Sequence, residues 1–172
     1  MRYNQGIIDF FKRHNMYDEK MFEYLQENST MVDYKDPEQR PFIGCYYIQG
    51  KNNILQKVVL CVPYVYDNAT ALINIHEITH GIENYYKIGK KFEKNITVEA
   101  LPLLYEKLYI LENPTEQAIE YGHYLDEKAG RHREIQYRFA LKIRDELLNN
   151  YNYNMKKMEK KVKKLSRKYH EN

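Results

Sequence analysis

Near the start of the chain, apolar residues recur every three or four positions, as they do on one face of an α-helix. A first short helix is predicted by four such positions: Ile7, Ile8, Phe11 and His14. Asp18 can cap the first turn of a second helix. The buried side of this second helix is expected to carry Met21, Phe22 and Leu25.

The pattern then changes to that of β-strands. Two runs rich in β-branched and aromatic residues, 42–48 and 55–62, are separated by a glycine- and asparagine-containing turn at 50–53, which is typical of a β-hairpin. The preceding stretch, 29–41, contains two prolines and several charges and is interpreted as a loop. We therefore predict a small antiparallel sheet of two or three strands near residues 42–65.

A helical pattern returns after Pro63, and Asp67 or Asn68 can cap the helix that begins there. The sheet is expected to pack on this helix. Six of the helix residues share roughly one side: Ala69, Leu72, Ile73, His76, His80 and Glu83.

Further helices are predicted in the second half of the chain. Gly89 is expected to end the preceding helix and Thr97 to cap the next, in which Pro102 predicts a late start or a kink. Residues 113–115, which include a proline, mark a break, and the pattern from 116 to about 149 is again helical. The chain is therefore expected to be mostly helical, of the α+β class.

The C-terminal residues form a basic tail with a narrow apolar stripe. The stripe runs from Leu148 to Tyr169 at a 3-4 spacing and predicts one long helix, weakened by asparagines near residue 150. We expect a single catalytic domain over residues 1–150 and a helical tail over 151–172. The tail helix should lie along the domain or form a homodimer with a second copy.

Charge and composition narrow the classes of function. The net charge is only +3, and the tail has few interleaved aromatic residues, so nucleic-acid binding is not expected. No apolar window is long enough for a membrane span, and the N-terminus lacks the pattern of a secretory signal, so the expected location is the cytoplasm. The two cysteines, Cys45 and Cys61, lie in neighbouring predicted strands and are interpreted as reduced core residues.

The candidate chemistry lies in five residues, His76-Glu77-Ile78-Thr79-His80, which form an H-E-x-x-H pattern within a predicted helix. Histidines four positions apart project from one helix face, so both imidazoles can reach one metal ion. Glu77 can then act as the general base that takes a proton from a metal-bound water.

A third ligand is expected from the following helices. Glu99 follows His80 after eighteen residues, and two histidines plus one glutamate with an open fourth position are the ligand set of a catalytic zinc hydrolase. Glu106, two helical turns after Glu99, is predicted to orient a ligand histidine by a hydrogen bond. Spacing alone leaves alternatives open, because the ligand could instead be Glu106, or Glu116 or Glu120.

Hydrolysis of a peptide bond also needs a hydrogen-bond donor for the oxyanion of the transition state. Three residues on the helix after the break are candidates for that role: Tyr121, His123 and Tyr124.

The motif, followed by residues 98–106 (Val98 to Glu106), resembles the thimet oligopeptidase and oligoendopeptidase F family of zinc peptidases. The resemblance implies a zincin-like fold of the gluzincin type, with Glu99 as a zinc ligand and Glu106 as its supporting residue. It also implies that the strand containing residues 44–47 lines the cleft and pairs with substrate backbone. The chain departs from the family pattern at Thr79, where the family has glycine, and at Pro102, one residue later than the family's proline.

The expected function is therefore that of a zinc-dependent peptidase acting on a peptide or protein substrate, with Zn²⁺ as cofactor. The alternative hypothesis is a non-catalytic regulatory or binding module that retains the metal site and docks a partner through the basic tail.

Overall fold

The computed structural model divides the chain into two compact units, Met1–Tyr85 and Tyr86–Asn172. It describes residues 3–32, 45–51, 54–85, 99–131, 135–149, 160, 161 and 164.

The first unit begins with two short helices, as the apolar spacing predicts. Helix α1 spans Gln5–Arg13 and helix α2 spans Glu19–Glu27. The Asp18 side chain accepts a hydrogen bond from the backbone N–H of Met21 at 2.9 Å, which confirms Asp18 as the cap of α2. The two helices bury six apolar side chains: Ile7, Phe10, Phe11, Met21, Phe22 and Leu25.

Three strands form a mixed sheet in the order β1-β3-β2. Strand β2 spans Cys45–Lys51 and pairs antiparallel with β3, Ile54–Pro63, which confirms the predicted hairpin. Strand β1, Ser29–Val32, pairs with β3 in parallel register. The prediction of a wholly antiparallel sheet is therefore wrong, and so is the prediction of a loop where β1 lies. The pairing of β1 with β3 is long-range, so no turn signal in the sequence marks it. A strand of four residues is also too short to show a clear alternation of apolar and polar positions.

The hairpin register places Cys45 directly opposite Cys61 on the neighbouring strand. The register shifts between Gln49 and Gly50, close to the turn.

Helix α3 spans Asn68–Tyr85 and packs on the sheet, mainly on β3. Asp67 caps its first turn, since its carboxylate accepts from the backbone N–H of Thr70 at 2.9 Å. One turn further on, the amide of Asn74 donates to the carbonyl oxygen of Pro63 at 2.7 Å. Asn74 is fully buried, so this bond ties the helix to the end of β3 where water cannot compete.

The second unit contains three described helices: α4 (Ala100–Glu112), α5 (Glu116–Arg131) and α6 (Ile135–Asn149). Helix α4 starts late, as Pro102 predicts, so that the proline lies in the first turn, where its missing N–H leaves no hydrogen bond unmade. Thr115 lies in the predicted break and caps α5 by accepting from the backbone N–H of Ala118 at 3.2 Å.

Helix α4 is apolar on nearly every face and is buried along most of its length. It contacts both α5 and α6. At Gly122 on α5, an added Cβ would lie 2.5 Å from the Cδ1 atom of Ile110, so glycine permits a close approach of α5 to α4.

Several sequence predictions fall outside the described residues. They include the end of α3 at Gly89, the cap at Thr97 and most of the C-terminal tail. Within the tail, Lys160, Lys161 and Lys164 are helical.

Candidate metal centre

The H-E-x-x-H motif lies in the middle of α3, as predicted. His76 is half-buried, while Glu77 and His80 are buried. Three polar side chains within five residues of a buried helix would carry a large desolvation cost unless they had partners or a ligand.

The two imidazoles converge on each other. The distance between His76 Nε2 and His80 Nε2 is 3.1 Å, and the rings are inclined at 76°. Two nitrogen ligands at about 2.0–2.1 Å from a tetrahedral ion lie about 3.3–3.4 Å apart. The observed separation is therefore close to that of a pair holding one metal ion. In the metal-free protein the same spacing suits a hydrogen bond in which one Nε2–H donates to the other Nε2.

The second ring nitrogen of His80 faces a carboxylate on the same helix. His80 Nδ1 lies 3.5 Å from Glu83 Oε2, and the exposed fractions of the two side chains are 8% and 6%. Glu83 lies on the helix face of the two histidines, but no role was predicted for it from the sequence. Its spacing from His80 indicates the contact, because residues three apart on a helix are neighbours.

The hydroxyl of Thr79, the residue between Glu77 and His80 where the chain departs from the resembled pattern, has a hydrogen-bond partner. Its Oγ1 donates to the carbonyl oxygen of Ile75 at 2.8 Å, and the side chain is fully buried. This bond to the residue four positions earlier lets threonine fit within the helix between Glu77 and His80.

The two glutamates predicted on the next helix lie just before α4 and within it. Glu99 immediately precedes α4 and is half-buried, and its backbone already has helical dihedral angles. Glu106 lies seven residues later, and its side chain is buried.

His76 and His80 lie on α3 in the first unit, and Glu99, the predicted third ligand, precedes α4 in the second. The role of Glu99 as a metal ligand stays a prediction. The two later alternatives for the third ligand, Glu116 and Glu120, have exposed side chains on α5.

The three candidates for oxyanion stabilisation also lie on α5. Tyr121 is half-buried, whereas His123 and Tyr124 are exposed. The rings of Tyr121 and Tyr124 lie 6.1 Å apart. His123 lines a surface pocket of about 210 Å³, together with apolar residues of α4 and α5. The roles of these three residues stay predictions.

Comparison with protein families, with curated proteins and with solved structures finds no match to this chain. The case for a function therefore comes from the residues and their geometry.

None of the helices in the described part of the chain has both the length and the apolar character needed to cross a membrane.

Proposed function

We propose that this protein is a zinc-dependent peptidase in which His76, His80 and Glu99 hold one Zn²⁺ ion and Glu77 is the general base. The observation that carries the proposal is the 3.1 Å separation of the two Nε2 atoms within an H-E-x-x-H motif. This arrangement is expected of two ligands to one ion, and the motif adds a carboxylate beside them.

The chemistry of the donor set favours zinc. Two imidazole nitrogens and one carboxylate suit an ion of intermediate softness, while magnesium and calcium prefer ligand shells made of oxygen atoms. Three protein ligands leave a fourth position for water or substrate, which is the pattern of catalytic rather than structural zinc sites.

A zinc ion at this position would supply Lewis acidity, which makes water a stronger acid and a carbonyl carbon a better electrophile. Glu77 would accept the proton of the attacking water on its carboxylate and pass it to the leaving amine nitrogen. Glu77 is buried, so its carboxylate is shielded from bulk water. One of Tyr121, His123 and Tyr124 would donate a hydrogen bond to the oxyanion.

The sheet offers a means of binding the peptide. Strand β2 lies at the edge of the described sheet, and β3, its neighbour, packs on α3. An extended peptide can add to such an edge through backbone hydrogen bonds, largely independently of its sequence. We therefore assign β2 as the strand that pairs with the substrate, in keeping with a zincin-like architecture.

The proposal predicts a metal-dependent cleavage of peptides. The full chain, incubated with a mixed pool of unstructured peptides, should produce new termini detectable by mass spectrometry. Chelation with 1,10-phenanthroline should stop the cleavage, and added zinc should restore it. Cleavage that persists at the same rate after complete removal of metal would contradict the proposal.

The third ligand can be identified by comparing two carboxylates on α4. Glu99→Ala is expected to weaken zinc binding strongly, because it removes one of three protein ligands. Glu106→Ala should weaken it by no more than about 10–100-fold, as expected of a residue that supports a ligand. Competition with a chromophoric chelator measures both affinities. If Glu99→Ala binds zinc as tightly as the parent, the ligand lies elsewhere, and Glu106, Glu116 and Glu120 are the next residues to replace.

A further inference from the structure

We propose that Glu83 is the positioning residue for His80, holding its imidazole in the tautomer that presents Nε2 to the metal. This inference rests on the proposed metal site and adds to it a residue that lies outside the H-E-x-x-H motif.

The two nitrogens of the His80 ring face two different groups. Nε2 lies 3.1 Å from His76 Nε2, while Nδ1 lies 3.5 Å from a carboxylate oxygen of Glu83. The His80 ring therefore lies between the imidazole of His76 and the carboxylate of Glu83, which is on the following turn of the helix.

A carboxylate accepts hydrogen bonds but, when ionised, donates none. Glu83 therefore favours the neutral His80 tautomer with its proton on Nδ1, and this tautomer has its lone pair on Nε2. Nε2 is the atom that faces His76. The tautomer selected by Glu83 is thus the one that metal binding through Nε2 requires.

Burial strengthens the effect. The side chains of His80 and Glu83 are more than nine-tenths buried, so solvent screens their interaction only weakly. Both residues lie on α3, so the helix itself fixes their separation at three residues. A rigid contact of this kind limits rotation of the imidazole before any metal arrives, which lowers the entropy lost on binding.

The test compares zinc affinities of the full chain carrying Glu83→Ala or Glu83→Gln. Glu83→Ala should bind zinc about 10–100-fold more weakly than the parent. Glu83→Gln should recover most of that loss, because its amide oxygen can accept a hydrogen bond from Nδ1–H. The matched controls are Glu23→Ala and Glu23→Gln, at an exposed position of α2, which should leave the affinity unchanged.

The tautomer can be read directly in the metal-free protein. Nitrogen-15 NMR of the His80 ring should show the proton on Nδ1 in the parent and a mixture of tautomers in Glu83→Ala. The NMR spectrum of the parent can refute the role of Glu83 even if Glu83→Ala does not fold, and Glu83→Gln then supplies the comparison.

The outcomes separate two kinds of failure. A parent protein that binds no zinc would refute the proposed metal site. A parent that binds zinc, together with a Glu83→Ala variant of equal affinity, would leave the metal site standing and refute the role of Glu83. A His80 ring protonated on Nε2 in the metal-free parent would also refute that role.

Discussion

Glu77→Gln is expected to retain zinc at an affinity close to that of the parent while losing peptidase activity. The amide has nearly the same shape as the carboxylate, so the buried helix should fold as before, but an amide cannot accept the proton of the attacking water. General-base catalysis contributes typically about 10²–10⁴-fold, and we expect kcat/KM to fall by that factor. Zinc titration and cleavage of a fluorogenic peptide, made on the same preparation, measure the two properties.

A matched control comes from Glu23→Gln, which removes the same charge from an exposed position of α2 and should keep full activity. This comparison also decides between the two hypotheses for function. In a non-catalytic module that only retains the metal site, Glu77→Gln would leave the biological effect of the protein intact. Peptide cleavage at the parent rate by Glu77→Gln would show that the mechanism proposed for Glu77 is wrong.

His80→Ala is expected to lose the metal and the activity together. It removes one of the two converging Nε2 atoms and also leaves Glu83 without the imidazole that faces it. The loss of zinc affinity should exceed the about 100-fold limit expected for replacing a supporting residue. Isothermal titration calorimetry with zinc measures the affinity, and circular dichroism establishes that the variant is folded.

His123→Ala is the control for His80→Ala, because it removes an imidazole from an exposed position of α5. It should retain zinc binding, and any loss of its activity would then concern the transition state rather than the metal. If His80→Ala binds zinc as the parent does, the 3.1 Å contact between the histidines is a hydrogen bond and not a metal-binding pair.

The features of the fold that sequence predicts well are those determined by local chemistry. Asp18, Asp67 and Thr115 each accept a hydrogen bond from the backbone N–H three residues later, so the residues that define each helix start are close in sequence. The same holds for the motif itself, because a spacing of four residues brings His76 and His80 together on any regular helix.

The parallel pairing of β1 could not be predicted in the same way. Ser29 pairs with Leu60, so the contact joins residues about thirty positions apart, and no turn between them shows which strands are adjacent. Strand β1 is stabilised by tertiary contacts, one of which is the 2.5 Å hydrogen bond between the Tyr3 hydroxyl and Ser29 Oγ. Burial raises the pKa of that tyrosine, so the hydroxyl stays protonated at neutral pH and can serve as the donor.

In the candidate site, too, local features are predictable from the sequence and side-chain contacts are not. The motif identifies the two histidines, but which residue contacts each ring nitrogen of His80 depends on the orientation of the ring. Sequence spacing predicts that Glu106 supports a ligand histidine, and that role stays a prediction. The contact of Glu83 with His80 Nδ1 was not predicted. Side-chain rotamers decide this contact, and they depend on packing around the helix rather than on spacing.

The measurement that tests the central claim most directly is the zinc content of the full chain, purified without added metal and dialysed against metal-free buffer. Elemental mass spectrometry, with the zinc concentration divided by the protein concentration, should give about one zinc ion per chain for the parent. The same measurement should give essentially none for a variant in which His76 and His80 are both replaced by alanine. A parent protein that takes up no more zinc than this double variant, even when zinc is supplied, would contradict the account.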